Sequence, residues 1–109
     1  MNAVANQTVE SPRERLFSGY SLEITAKDAE ELPSIASRFA PGARTSVTYL
    51  PNETLDKRLK AVRSVLSSGL TPVPHIAARR IESEAVLDEY LGALAAINGC
   101  ENVFIIAGD

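Results

Sequence analysis

The feature that most constrains this chain is an alternation of two hydrophobic periods. Short β-branched or apolar runs take turns with amphipathic stretches from residue 20 to residue 107. Residues 20–26 (YSLEITA) read as a strand. Asp28 then caps a helix to about Phe39, with Leu32, Ile35, Ala36 and Phe39 on one face and Glu31 at capping-box spacing. Pro33 falls near the first turn, where a missing N–H costs little. Pro41-Gly42 ends the unit. Residues 45–50 (TSVTYL) form the second strand. Thr54 or Asn52 caps a second helix carrying Leu55, Leu59, Val62 and Leu66, with Gly69 as its C′ residue. Residues 71–78 (TPVPHIAA) form a third strand, against the grain of two prolines. Ser83 caps a third helix through Ile97, with Val86, Leu87, Tyr90, Leu91 and Leu94 apolar. Residues 102–107 (NVFIIA) form a fourth strand, whose nearly unbroken apolar run suits burial on both faces of a parallel sheet.

The order βαβαβαβ implies right-handed crossovers and an α/β fold with a parallel sheet. Four such strands are half of a (β/α)8 TIM barrel. The expected organisation is a polar lead-in over residues 1–19, with a short helical turn at 12–17, followed by residues 20–109. The latter are expected to be the N-terminal half of a barrel domain, truncated after strand four. The other architecture is a complete four-stranded α/β sandwich, which would leave a hydrophobic edge exposed.

Composition narrows the function classes. The chain has 109 residues, 45% hydrophobic and 23% charged, with a net charge of -3. That is ordinary globular composition, with room for one small domain. The basic residues form no block, so nucleic-acid binding has no electrostatic support. No apolar run approaches the roughly 20 residues needed to span a bilayer, so no membrane partner is expected. The first fifteen residues lack the apolar core of a signal peptide. Cys100 is alone, so no internal disulfide calls for an oxidising compartment. A cytoplasmic protein is the expectation.

In a parallel barrel, chemistry gathers at the carboxyl ends of the strands. Polar side chains recur there about once per βα unit: Glu23, Thr48 with Tyr49, His75 and Asp109. Leu22 and Ile24 point away from Glu23, so Glu23 is either solvated or faces a barrel interior. In a partly dry interior a carboxylate holds its proton more tightly, which suits a general acid. His75, the only histidine, is either a hydrogen-bonded core group or a site residue. Thr48 is a routine strand residue or a ligand contact. Asp109, after Gly108, is either a turn residue capping the next helix or a carboxylate on a tight turn at the functional face. Arg79-Arg80 is either a solvated loop or an anion contact. No metal-ligand spacing is present, and Gly92, Gly99 and Gly108 do not form a dinucleotide fingerprint.

At these residues the chain resembles the methylenetetrahydrofolate reductase family. Residues 21–27 (SLEITAK), 46–49 (SVTY), 74–76 (PHI) and 103–109 (VFIIAGD) carry the likeness, in the family's order and spacing over about residues 20–109. The resemblance implies an oxidoreductase on a flavin-bearing barrel. Hydride would pass from NADH or NADPH through FAD to 5,10-methylenetetrahydrofolate, giving the 5-methyltetrahydrofolate of one-carbon metabolism and methionine biosynthesis. It implies that Glu23 is the acid that protonates the folate nitrogen. It places Asp109 between flavin and folate, and Thr48, Tyr49, His75 and Gly108 at the cofactor. A folate substrate and a homo-oligomer follow from it.

Three departures stand beside the likeness. The family's aromatic strand one with its double proline is LEITAK here, and its glycine-rich loop after Thr-Tyr is Leu50-Pro51-Asn52-Glu53. The basic residue before its Gly-Asp pair is Ala107. The stiffer, acidic loop motivates one alternative, a flavin-free folate-binding or methyl-transfer relative; a third reading, a small stand-alone α/β interaction module, requires the 109 residues to be monomeric and cooperatively folded.

Overall fold

The structure, a computed structural model, describes residues 10–108. Its strands are β1 (Leu22–Ile24), β2 (Arg44–Val47), β3 (Thr71–Ala77) and β4 (Phe104–Ile106). They lie in chain order in one sheet, and every pair is parallel. The helices are α1 (Pro12–Leu16), α2 (Leu32–Ile35), α3 (Leu55–Ser67) and α4 (Glu84–Ala95). The α/β alternation expected from the sequence is therefore present, including the short turn of α1. No helix among the described residues is long and apolar enough to cross a membrane.

The sheet has two unlike faces. Leu22, Ile24, Val47 and Ile76 join Leu32, Val62, Val65, Tyr90 and Leu94 from the helices in one apolar core. The strand residues that alternate with them must point the other way. Glu23, Ser46 and Val73 form one row of that second, helix-free face, here called the bare face, since Glu23 pairs with Ser46 and Ser46 with Val73; Glu23 is exposed on it, Ser46 and Val73 half-buried. Spatial order equals chain order, so the sheet has no point at which the winding reverses.

Helix caps set the element starts. Thr54, not Asn52, caps α3, its Oγ1 accepting from the Lys57 N–H at 3.2 Å. Ser83 caps α4 through the Val86 N–H at 3.2 Å. Gly69 takes φ +78 after α3, as its C′ role requires. The α3 stripe is wider than its leucines suggest: Arg58, Ala61, Val62 and Val65 are buried.

The helix expected over 28–39 is broken. Two 3-10 turns, Asp28–Glu30 and Ala36–Arg38, flank the single turn of α2. Pro33 supplies the reason. It has no N–H to return to the Ala29 carbonyl one turn back, and its ring crowds that oxygen. The Ser64 hydroxyl of α3 donates to Ala29 O instead, at 2.9 Å. The capping box also sits one turn earlier than expected. Asp28 Oδ2 accepts from the Thr25 N–H at 2.9 Å, and Thr25 Oγ1 accepts from the Asp28 N–H at 3.2 Å. The Thr25 main-chain and side-chain hydrogen bonds hold the Asp28 carboxyl below its usual range.

β3 accepts its prolines because of where they point. The Thr71 N–H donates to Ala43 O beside β2. Donor directions alternate along a strand, so residues 72 and 74 face the β4 side. β4 pairs with β3 only from His75 onward, so neither proline is asked for a ladder bond.

β4 departs from expectation. It is shorter than 102–107 and is not buried on both faces: Val103, Phe104 and Ile105 are 40%, 55% and 67% exposed. β4 ends the strand order and pairs on one side only. An apolar run marks a strand that wants cover, and cannot say whether cover is supplied.

Candidate functional site

The bare face gathers three of the sequence-selected residues at neighbouring positions. Glu23 stands exposed on β1, opposite the core that holds Leu22 and Ile24. Thr48 directly follows β2, and its N–H donates to Ile24 O at 2.9 Å, carrying the β1–β2 ladder one step further. Val47 pairs with Pro74, so Thr48 comes beside His75, which in turn pairs with Phe104. A carboxylate, a hydroxyl and an imidazole thus share one surface on three adjacent strands, at a strand spacing of about 4.8 Å.

Each residue has a distinct environment. Thr48 Oγ1 is buried and has no hydrogen-bond partner among the described residues. Such an orphan costs about 1–3 kcal/mol, so it marks a place where a partner is expected. His75 is 8% exposed, and its ring lies 5.3 Å from that of Phe104 at a tilt of 54°. Gly108 takes φ +81 directly after β4, and a Cβ there would come within 3.3 Å of the Ala77 Cβ. Asp109 lies outside the described residues.

Tyr49 is not part of this group. One residue beyond Thr48, it turns to the helix side. Its ring meets that of buried Tyr90 edge-on at 5.7 Å, and the Arg58 guanidinium lies 3.7 Å from its centroid. Arg58 Nη2 donates to Leu50 O at 2.5 Å, and Arg58 Nε faces Glu53 Oε1 at 3.5 Å. Glu53 Oε1 also accepts from the Leu50 N–H at 3.1 Å. The loop after β2 is therefore tied down by its own side chains, with Asn52 in the left-handed region at φ 66. Burial pushes the Tyr90 hydroxyl up to about 12, against the pull of the Arg58 charge.

Beside this network a cleft of about 490 Å³ opens between the loops after β2 and β3, lined by Tyr49, Arg58, Arg79, Glu89 and Tyr90 among others. Glu23, Thr48 and His75 do not line it. The bare face is thus one wall, while the cleft belongs to the helix side.

Two further residues matter here, of which sequence reasoning left Arg58 aside. Arg58 reads as a surface charge, yet its place on the stripe between Leu55 and Val62 was the available signal. Arg79 is exposed and reaches across to the end of β4. Its N–H donates to Ala107 O at 2.9 Å and its Nη1 to Gly108 O at 3.2 Å. Searched against models of protein families, the chain matches none.

Proposed function

We propose that this chain forms strands one to four of a (β/α)8 barrel in a cytoplasmic, flavin-dependent reductase of the methylenetetrahydrofolate reductase kind. The observation that carries the reading is the shared face of Glu23, Thr48 and His75, on the side of a parallel sheet away from its helices, the spatial order of the strands being their chain order. In a closed barrel that side is the interior, and the helices all lie outside. The exposed apolar edge of β4 agrees, since a fifth strand would cover it.

The residues on this face suit a flavin. An unsatisfied buried hydroxyl beside an imidazole is a donor–acceptor pair that the polar edge of FAD would complete. Thr48 and His75 would hold that edge, and Gly108 would let the main chain approach. When bound, FAD supplies the hydride chemistry between NAD(P)H and folate. Glu23 stands on the outermost strand of the sheet, in the interior of the proposed barrel. It would hand its proton to the folate nitrogen as the methylene bridge opens, and hold the substrate by the same contact. Asp109 would lie between cofactor and pterin, in a homo-oligomer of complete barrels.

A flavin-free folate-binding relative is the second reading. The loop after β2 favours it, because the Leu50 N–H and C=O are both taken by Glu53 and Arg58 and are closed to a cofactor. Purification of the full-length protein decides. A flavin absorption spectrum, bleached by NADH or NADPH and restored by 5,10-methylenetetrahydrofolate, supports the reductase. A colourless protein that binds folate supports the relative.

A further inference from the structure

We infer that Phe104 is a positioning residue for His75, fixing an imidazole that, with Thr48, binds the polar edge of a planar ring ligand. The inference rests on the reading above for the use of this face, and adds a residue that the resemblance does not assign.

Thr48 and His75 are both uncommitted. Thr48 Oγ1 is buried without a hydrogen-bond partner. His75 is 8% exposed, and among the described residues no hydrogen bond reaches either ring nitrogen. Buried polar groups are mostly paired, so two unpaired ones on neighbouring strands point to a ligand between them. In a neutral imidazole one nitrogen donates and the other accepts, and a hydroxyl does both. Together they match a group that carries a donor beside an acceptor. The cyclic amide or imide edge of a planar heteroaromatic ring is such a group.

A functional imidazole usually has its plane and tautomer set by the hydrogen bond that its second nitrogen makes. His75 makes none, so packing must set its plane. Phe104 supplies that packing. The two residues are paired across β3 and β4, with ring centroids 5.3 Å apart and 54° between the planes. That is a favoured range for two aromatic rings. The register holds beyond the contact, because Ile76 pairs with Ile105 and the Arg79 N–H donates to Ala107 O at 2.9 Å. Phe104 therefore shares the bare face with Thr48 and His75, while Ile105 lies on the opposite side. A ring contact restrains the imidazole without taking a nitrogen. Donor and acceptor both remain for the ligand, whereas a hydrogen bond in its place would commit one of them.

The test is a double-mutant cycle on ligand affinity, which needs no turnover. Flavin-free full-length protein is titrated with FAD, and separately with lumichrome, the flavin ring without its side chain, by fluorescence quenching. Phe104→Leu keeps apolar bulk and removes the aromatic ring. It should weaken binding of both ligands about three- to tenfold, the size of one hydrogen bond no longer aligned. In a His75→Ala background the same substitution should change nothing, because the group that Phe104 positions is gone. Ile105→Ala, on the same strand but the opposite face, should leave affinity unchanged. Equal losses in the two backgrounds overturn the inference, since Phe104 would then act without His75. A loss seen with FAD but not with lumichrome also overturns it. Wild-type affinity in Phe104→Leu overturns it and leaves the reductase reading standing. If the wild type binds no flavin but binds 5-methyltetrahydrofolate, the cycle is run with that ligand, and coupling there keeps the inference while the reductase reading falls. A wild type that binds neither overturns both. One measurement needs no variant: nuclear Overhauser contacts between the His75 and Phe104 ring protons are expected in the ligand-loaded wild type, and their absence overturns the inference.

Discussion

The central carbon of the Arg58 guanidinium lies over the Tyr49 ring, 3.7 Å from its centroid. The same side chain reaches Leu50 O and Glu53, so one residue of α3 holds Tyr49, Leu50 and Glu53 after β2. Both ion-pair partners are largely buried, with side chains 10% and 13% exposed. Arg58→Ala leaves the Glu53 carboxylate and the Leu50 carbonyl under cover without their cation. Breaking such a pair from one side costs about 3–5 kcal/mol. Urea denaturation should show a loss of this size. A loss below about 1 kcal/mol would mean the pair is solvated in practice.

Tyr90 gives a pH-dependent stability. Its hydroxyl is raised from 10.0 to about 12 by burial beneath the loop, so the folded chain keeps this proton longer than the unfolded chain does. Stability from this group is complete below pH 10 and is lost as pH rises from about 10 through about 12, with an upper limit of about 2–3 kcal/mol. Tyr90→Phe removes the ionisation. The fall in urea midpoint between pH 9 and pH 11 should be shallower in Tyr90→Phe than in wild type, and equal slopes would contradict the assignment.

Glu23→Gln tests the acid. In the full-length, flavin-loaded protein, folate reduction should fall by about 10²- to 10⁴-fold, the usual cost of losing a general acid. Flavin reduction by NAD(P)H should be spared. Near wild-type folate reduction would remove Glu23 from the mechanism.

The apolar edge of β4 predicts self-association of the 109-residue chain. Val103, Phe104 and Ile105 are all exposed beside free strand donors and acceptors, a template for pairing with another chain. Ile105→Lys places a charge on that edge. Sedimentation velocity should show mass above monomer in the wild type and a shift toward monomer in the variant. A sharp wild-type monomer with cooperative melting would favour the stand-alone module.

Much of this architecture was legible in the residues, for reasons that are local. Thr54, Gly69 and Ser83 announce helix ends because capping needs a particular side chain or a particular φ at one position. Glu23 between Leu22 and Ile24 announces two sheet faces because a strand has period two. The break at α2 was not legible, because it depends on a long-range partner. Pro33 is tolerable in a first turn, and only the donation from Ser64 to Ala29 O shows that the helix gives way there. Arg58 was missed for a similar reason, since a charge is counted as polar until its burial against Tyr49 is seen. Of the candidate site, Thr48 and His75 were chosen by position in the chain. Tyr49, next to Thr48 in sequence, turns to the other side, as the period of an extended chain requires, and only the fold shows what it meets there.

The prolines of β3 carry a consequence for how the sheet zips together. A parallel strand of identical period can slide along its neighbour by two residues and keep every side chain on its proper face. On the flank toward β4, residues 72 and 74 have no N–H, so a β4 that slid toward the start of β3 would find acceptors without donors. The first usable donor on that flank belongs to Ile76, within the observed pairing of His75 with Phe104 and Ile76 with Ile105. The missing hydrogens act as a ratchet stop. They forbid the slipped alignments that a bare apolar strand such as Phe104–Ile106 would otherwise tolerate, and so fix where Gly108 comes to rest.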